Sequence, residues 1–173
     1  AILGTPLPAW TDLAWGAAAG AAGALGIAAL YTALATTVVA VASPIAAVVG
    51  AVLPLLIGVA TGDRPGLLSW IGVGLAFPAI LLLTAGPVET GGGSRLRRAI
   101  LLGAVAGVGF GVFFAAVSRT SQASGLWPLV AARATTVLFV AVFALATRRP
   151  LRLGAGTVPL AVSAGLMDMG ANI

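Results

Sequence analysis

Apolar residues run along this chain in long unbroken stretches, and polar residues collect in the gaps between them. Six such stretches stand out, at roughly residues 12–34, 38–61, 67–85, 98–118, 126–147 and 157–173. A helix needs about 20 mostly apolar residues to cross about 30 Å of hydrocarbon, and each stretch approaches that length. Strands of a membrane barrel are shorter and alternate apolar with polar positions, which these stretches do not. The pattern predicts an all-α membrane protein, a polytopic bundle of transmembrane helices.

The gaps supply the organisation. Pro6 and Pro8 disfavour helix in the leading loop, and Thr11 or Asp12 is the expected N-cap of the first span. The connection at 33–37 is short and uncharged, so spans one and two are expected to be antiparallel neighbours. Gly62-Asp63-Arg64-Pro65 forms a tight polar turn, and Ser118 to Gln122 forms another. The stretch GPVETGGGSRLRR at 86–98, with three consecutive glycines, reads as a flexible solvated hinge. It separates three spans in 1–85 from three in 98–173, with 86–97 as linker.

Small residues recur at helical spacing in two spans: Gly16, Gly20, Gly23 and Gly26 in the first, Gly103, Gly107 and Gly111 in the fourth. In lipid, such stripes let helix backbones approach closely. Pro44 and Pro54 interrupt span two and Pro78 interrupts span three. Each removes a backbone hydrogen bond and favours a kink. Carbonyls freed in this way need a protein or water partner inside a membrane, which makes Pro44 a candidate for lining a substrate path.

Composition sharpens the class. Of 173 residues, 60% are apolar and 8% are charged, whereas a soluble chain is about a quarter charged. The surrounding medium is therefore expected to be a lipid bilayer. The net charge of +5 comes from nine arginines against four acidic residues, and most of the arginines cluster at segment ends, which is a topology signal and not a nucleic-acid footprint. Arg95, Arg97, Arg98, Arg148, Arg149 and Arg152 fall on one face, Arg64 and Arg119 on the other. The positive-inside rule then places the central linker in the cytoplasm. With no Cys and no His, disulfides, thiolate chemistry and the commonest metal ligand are excluded. No phosphate-cradling GxxxxGK and no GxSxG serine elbow occurs. Neither an enzymatic constellation nor a cofactor or metal is expected. The chain starts at Ala1 and stops inside an apolar stretch at Ile173, so it is expected to be an internal fragment of a longer transporter-like protein.

Ionisable residues within spans are costly and mark functional sites. Asp12, Asp63 and Glu89 fall in loops or at helix ends. Asp168 lies ten residues into the last span, about 15 Å deep at 1.5 Å per residue, and Arg133 lies six residues into span five, about 9 Å from the opposite face. The two are expected to face one interior cavity, pair, and form a substrate or proton path. Asn172 is one helical turn from Asp168. Tyr31, which ends span one, is a further pathway candidate.

Three stretches resemble the EamA type of the drug/metabolite transporter superfamily. VVAVASPIAAVVGAVLPLLIGVATGDRP (38–65) is similar to that family's fourth helix and its LGE-type turn, with Asp63 where Glu is usual, and with Val49-Gly50 where a second proline commonly stands. GVGFGVFFAAVSR (107–119) is similar to the helix opening its second repeat, and GLWPLVAARATTVLFVAVFALATRRP (125–150), with Arg133, to the helix that follows. The resemblance implies part of a ten-helix fold of two inverted repeats, with 1–85 as the last three helices of the first and 98–173 as the first three of the second. It implies a multi-pass secondary transporter in the plasma membrane, exporting a small metabolite or amphipathic compound by alternating access. It also implies both termini inside and the central linker outside, opposite to the arginine count. The competing classes are a membrane-embedded enzyme acting on lipid-linked substrates and a non-transporting membrane scaffold.

Overall fold

Long apolar stretches free of alternation fold as helices because only a helix satisfies every backbone group within its own segment. The computed structural model describes residues 8–84, 93–147 and 156–170, without the side chains of 80–81, 83–84 and 168–170. It contains α1 (Trp10–Thr36), α2 (Val39–Ala60), α3 (Leu67–Thr84), α4 (Gly93–Val117), α5 (Trp127–Ala146) and α6 (Val158–Gly170), with a 3₁₀ turn at Gln122–Ser124. The described residues are all-α, with no strand.

Four helices, α1, α2, α4 and α5, are long and apolar enough to cross a membrane. Of the six expected spans, the third and sixth carry only shorter apolar helices among the described residues, Leu67–Ala79 and Val158–Met167. The fourth starts earlier than expected. Gly93 already opens α4, so Arg95 and Arg97 stand on helix where linker was expected; arginine is a good helix former.

The chain divides into two compact units, residues 1–136 and 137–173. In the first, α4 is the centre, and α1 and α2 both pack chiefly on it. The connection between α1 and α2 is only Thr37 and Val38. The two helices meet near that end, where Ala33, Val41, Ala42 and Ala99 form a buried cluster. Sequence neighbours are thus joined mainly through a third helix.

Backbone approach sets these contacts. On α4, a Cβ added to Gly103 would stand 2.6 Å from the Ala42 carbonyl oxygen of α2, and one added to Gly107 would stand 2.8 Å from that of Ala46. Gly111 continues the stripe against Leu53. The rising order of the pairs shows that α2 and α4 run parallel. On another side of α4, a Cβ at Gly109 would lie 2.6 Å from the Gly26 Cα of α1. Gly23 faces Phe113, so α1 and α4 run antiparallel. Gly16 and Gly20 abut the Pro128 and Ala132 backbones, which makes α5 parallel to α1.

The interior is small-chained and the exterior bulky. Every buried apolar side chain among the described residues is alanine, with Val41 as the exception, and no large side chain is fully buried. Leu25, Leu101, Val105, Phe114 and Leu68 point outward, Leu68 with 84% of its surface exposed. A water-soluble core is built the other way round, with Leu, Ile, Val and Phe inside. Small residues at the contacts and large apolar ones outside are what packing in lipid requires. In the second unit, Leu138, Phe143, Leu160 and Leu166 are likewise exposed.

Candidate functional site

The helix directions bring the starts of α1, α3 and α5 to one end of the first unit, together with the ends of α2 and α4. Polar residues concentrate there. Thr11 or Asp12 was expected to cap α1, but the helix begins earlier, at Trp10. Its N-cap is Ala9, without a side-chain cap bond. The Asp12 carboxylate is directed elsewhere. It accepts from the Ser121 backbone N–H at 3.2 Å and from the Ser124 hydroxyl, and is 5% exposed. A buried carboxylate needs such partners. Both belong to the α4–α5 connection, so Asp12 pins that loop to the start of α1.

A second tie lies close by. The Arg119 guanidinium donates to the Thr61 hydroxyl at 2.5 Å, linking the ends of α4 and α2. The α2 end is shaped by a Schellman motif. The Asp63 N–H donates to Gly58 O at 2.9 Å and the Gly62 N–H to Val59 O at 3.1 Å. Gly62 has φ +100°, a left-handed conformation that glycine adopts without steric cost. The motif turns Asp63 and Arg64 toward the end of α4. A cavity of about 310 Å³ lies here, lined by Pro54, Leu55, Ile57, Asp63, Arg64 and Arg119, among others.

All four tryptophans mark this same end. Trp10, Trp70 and Trp127 stand in the first turns of α1, α3 and α5, and Trp15 follows one turn further into α1. Tryptophan favours the membrane–water interface.

The expected pathway residues distribute as follows. Arg133 is half-buried on α5, beside Ala132, which packs on Gly20. It stands six residues beyond Trp127, about 9 Å below the tryptophan level. Thr136, on the α1-facing side, donates to Gly20 O and to Ala132 O, both at 3.0 Å. Thr135 bonds only to its own helix, at Ala131 O. Pro44 is half-buried within a continuous α2. Tyr31 is on the outside of α1, 67% exposed. The Asp168 backbone belongs to α6. Its side chain and the whole of Asn172, and with them the expected pairing to Arg133, lie outside the described residues. No group of acidic, His or Cys side chains that could hold a metal occurs among the described residues.

Comparison with family models, with curated proteins and with solved structures finds no match to this chain.

Two features escaped sequence reasoning. Asp12 acts across 109 residues, and no local spacing signals such a bond. Gly109 makes the close approach to α1, but it lies off the stripe of Gly103, Gly107 and Gly111, so the spacing did not single it out.

Proposed function

We propose that this chain is part of a multi-pass membrane transporter of the drug/metabolite type, working in the plasma membrane as a secondary-active exporter. Its substrate is a small metabolite or amphipathic compound, moved by alternating access between two inverted helical repeats. The observation that carries the reading is Arg133, half-buried on an apolar helix of membrane length. A cation at the centre of a span costs about 2.5–3.5 kcal/mol on insertion scales, and an arginine half-buried six residues into a span bears part of that cost, which marks it as a candidate for the interior of the bundle. Pro44, half-buried on α2, is a further candidate; Asp168 and Asn172 remain the acidic and polar candidates of the sequence, and Tyr31, exposed on the outside of α1, is dropped from the path.

The test is efflux from proteoliposomes loaded with a fluorescent amphipathic dye or with radiolabelled amino acids. The full-length protein that contains this chain is expected to release a probe faster than protein-free liposomes. Arg133→Gln and Asp168→Asn are each expected to slow release at least tenfold while reconstituting at the wild-type level. Wild-type efflux by both variants, or no probe moving faster than in empty liposomes, overturns the reading.

A further inference from the structure

Beyond transport, the cavity at the tryptophan end has the makings of a lipid site. We propose that it binds the phosphate headgroup of an anionic phospholipid, with one acyl chain lying in the groove between α2 and α3. The inference rests on the membrane placement of the bundle and is independent of whether the chain transports anything.

Three observations converge. The first is charge. Arg64 and Arg119 line the cavity with a single carboxylate, Asp63, so the lining carries net charge +1 from two Arg and one Asp. Guanidinium groups match phosphate oxygens in geometry as well as charge. Arg119 is already held in place by Thr61. Basic pockets between membrane helices suit lipid headgroups.

The second is depth. The four tryptophans set this end at the headgroup level, where a lipid phosphate resides. A soluble anion has no such preference.

The third is continuity. Leu55 lines the cavity and also a separate groove of about 250 Å³ formed by Ala51, Val52, Ser69, Gly72, Val73 and Ala76. Both of its walls lead away from the interface, α2 from Leu55 back to Ala51 and α3 from Ser69 on to Ala76. The eight residues from Ser69 to Ala76 span about 10 Å. The lining is apolar apart from Ser69, and nothing stands within 4 Å of where a Gly72 side chain would begin. A chamber carrying two arginines at the interface and an apolar groove leading away from it, adjoining at Leu55, together match a phospholipid headgroup and one acyl chain. At 310 Å³ the chamber is at the small end of ligand pockets, about 300–1,000 Å³. It suits a headgroup and leaves the tail to the groove.

The test is thermal unfolding of the full chain in neutral detergent, titrated with dioleoylphosphatidylglycerol. Tm is expected to rise to a plateau. The titration midpoint should weaken at least about tenfold in the Arg64→Gln/Arg119→Gln double variant, as expected for losing charged hydrogen bonds. Gly72→Leu, which fills the groove and leaves the chamber intact, should also weaken it. Arg97→Gln, exposed at the opposite end, should leave it unchanged. Inorganic phosphate should give no shift. If the double variant does not fold, Arg64→Gln alone serves, since Arg64 is exposed in the turn. Wild-type midpoints in both the arginine and the Gly72 variants overturn the proposal. So does inorganic phosphate reproducing the shift, which would make the cavity a site for a soluble anion.

Discussion

Gly109 carries more of the packing than its side chain of one hydrogen suggests. Its Cα faces the backbone of Gly26, and a methyl group there would meet Gly26 N at 2.7 Å and Ala22 O at 2.8 Å. Backbone cannot swing aside as a flexible side chain can. Gly109→Ala is therefore expected to destabilise the bundle by about 1–3 kcal/mol, the usual penalty of overpacking. Gly74, on α3, has nothing within 4 Å of the equivalent position. Gly74→Ala should be neutral or stabilising by up to about 1 kcal/mol, from helix propensity. Denaturant unfolding in micelles, run on both variants, separates close approach from propensity. Equal effects would refute the assignment of α4 as the tightly packed centre. At this scale the sequence was partly legible. The i, i+4 stripe of Gly103, Gly107 and Gly111 announced a packed face, but it did not say which helix lay opposite.

The helix boundaries were the most legible elements. Apolar length, the Gly62-Asp63-Arg64-Pro65 punctuation and the short uncharged connection expected at 33–37 located most ends to within a few residues, although α1 runs on to Thr36 and the connection is Thr37-Val38. Where the reading slipped, nonlocal chemistry decided. The N-terminus of α1 has no side-chain cap because Asp12, the residue suited to the task, is engaged by Ser121 and Ser124. At the end of α2, by contrast, local chemistry decides. A Schellman motif needs its C′ residue in the left-handed region, and Gly62 provides it. Gly62→Ala has space for its methyl group and so isolates the backbone cost, about 1 kcal/mol. The loss should appear as faster hydrogen exchange at Asp63, whose N–H closes the motif. Unchanged protection there would mean that the turn is held by other contacts.

For the whole molecule, the apolar pattern disclosed the class but not the arrangement. Apolar residues surround each helix on every side, so no single stripe names the buried face as it would in a water-soluble helix. The central position of α4, and the meeting of five helix ends in one polar cluster, therefore had to come from the three-dimensional structure. The same inversion, alanine and glycine within and bulky side chains without, is the strongest support for a lipid environment. It is also directly measurable, because the chain has no native cysteine and single spin labels can be placed at will. Leu25 and Val105 point outward near the middles of α1 and α4, and Gln122 is exposed in the connection before α5. In liposomes, labels at Leu25 and Val105 should be relaxed strongly by oxygen, which concentrates in hydrocarbon, and weakly by water-soluble nickel–EDDA. The label at Gln122 should show the reverse. Nickel–EDDA reaching positions 25 and 105 as readily as 122 would contradict the membrane bundle.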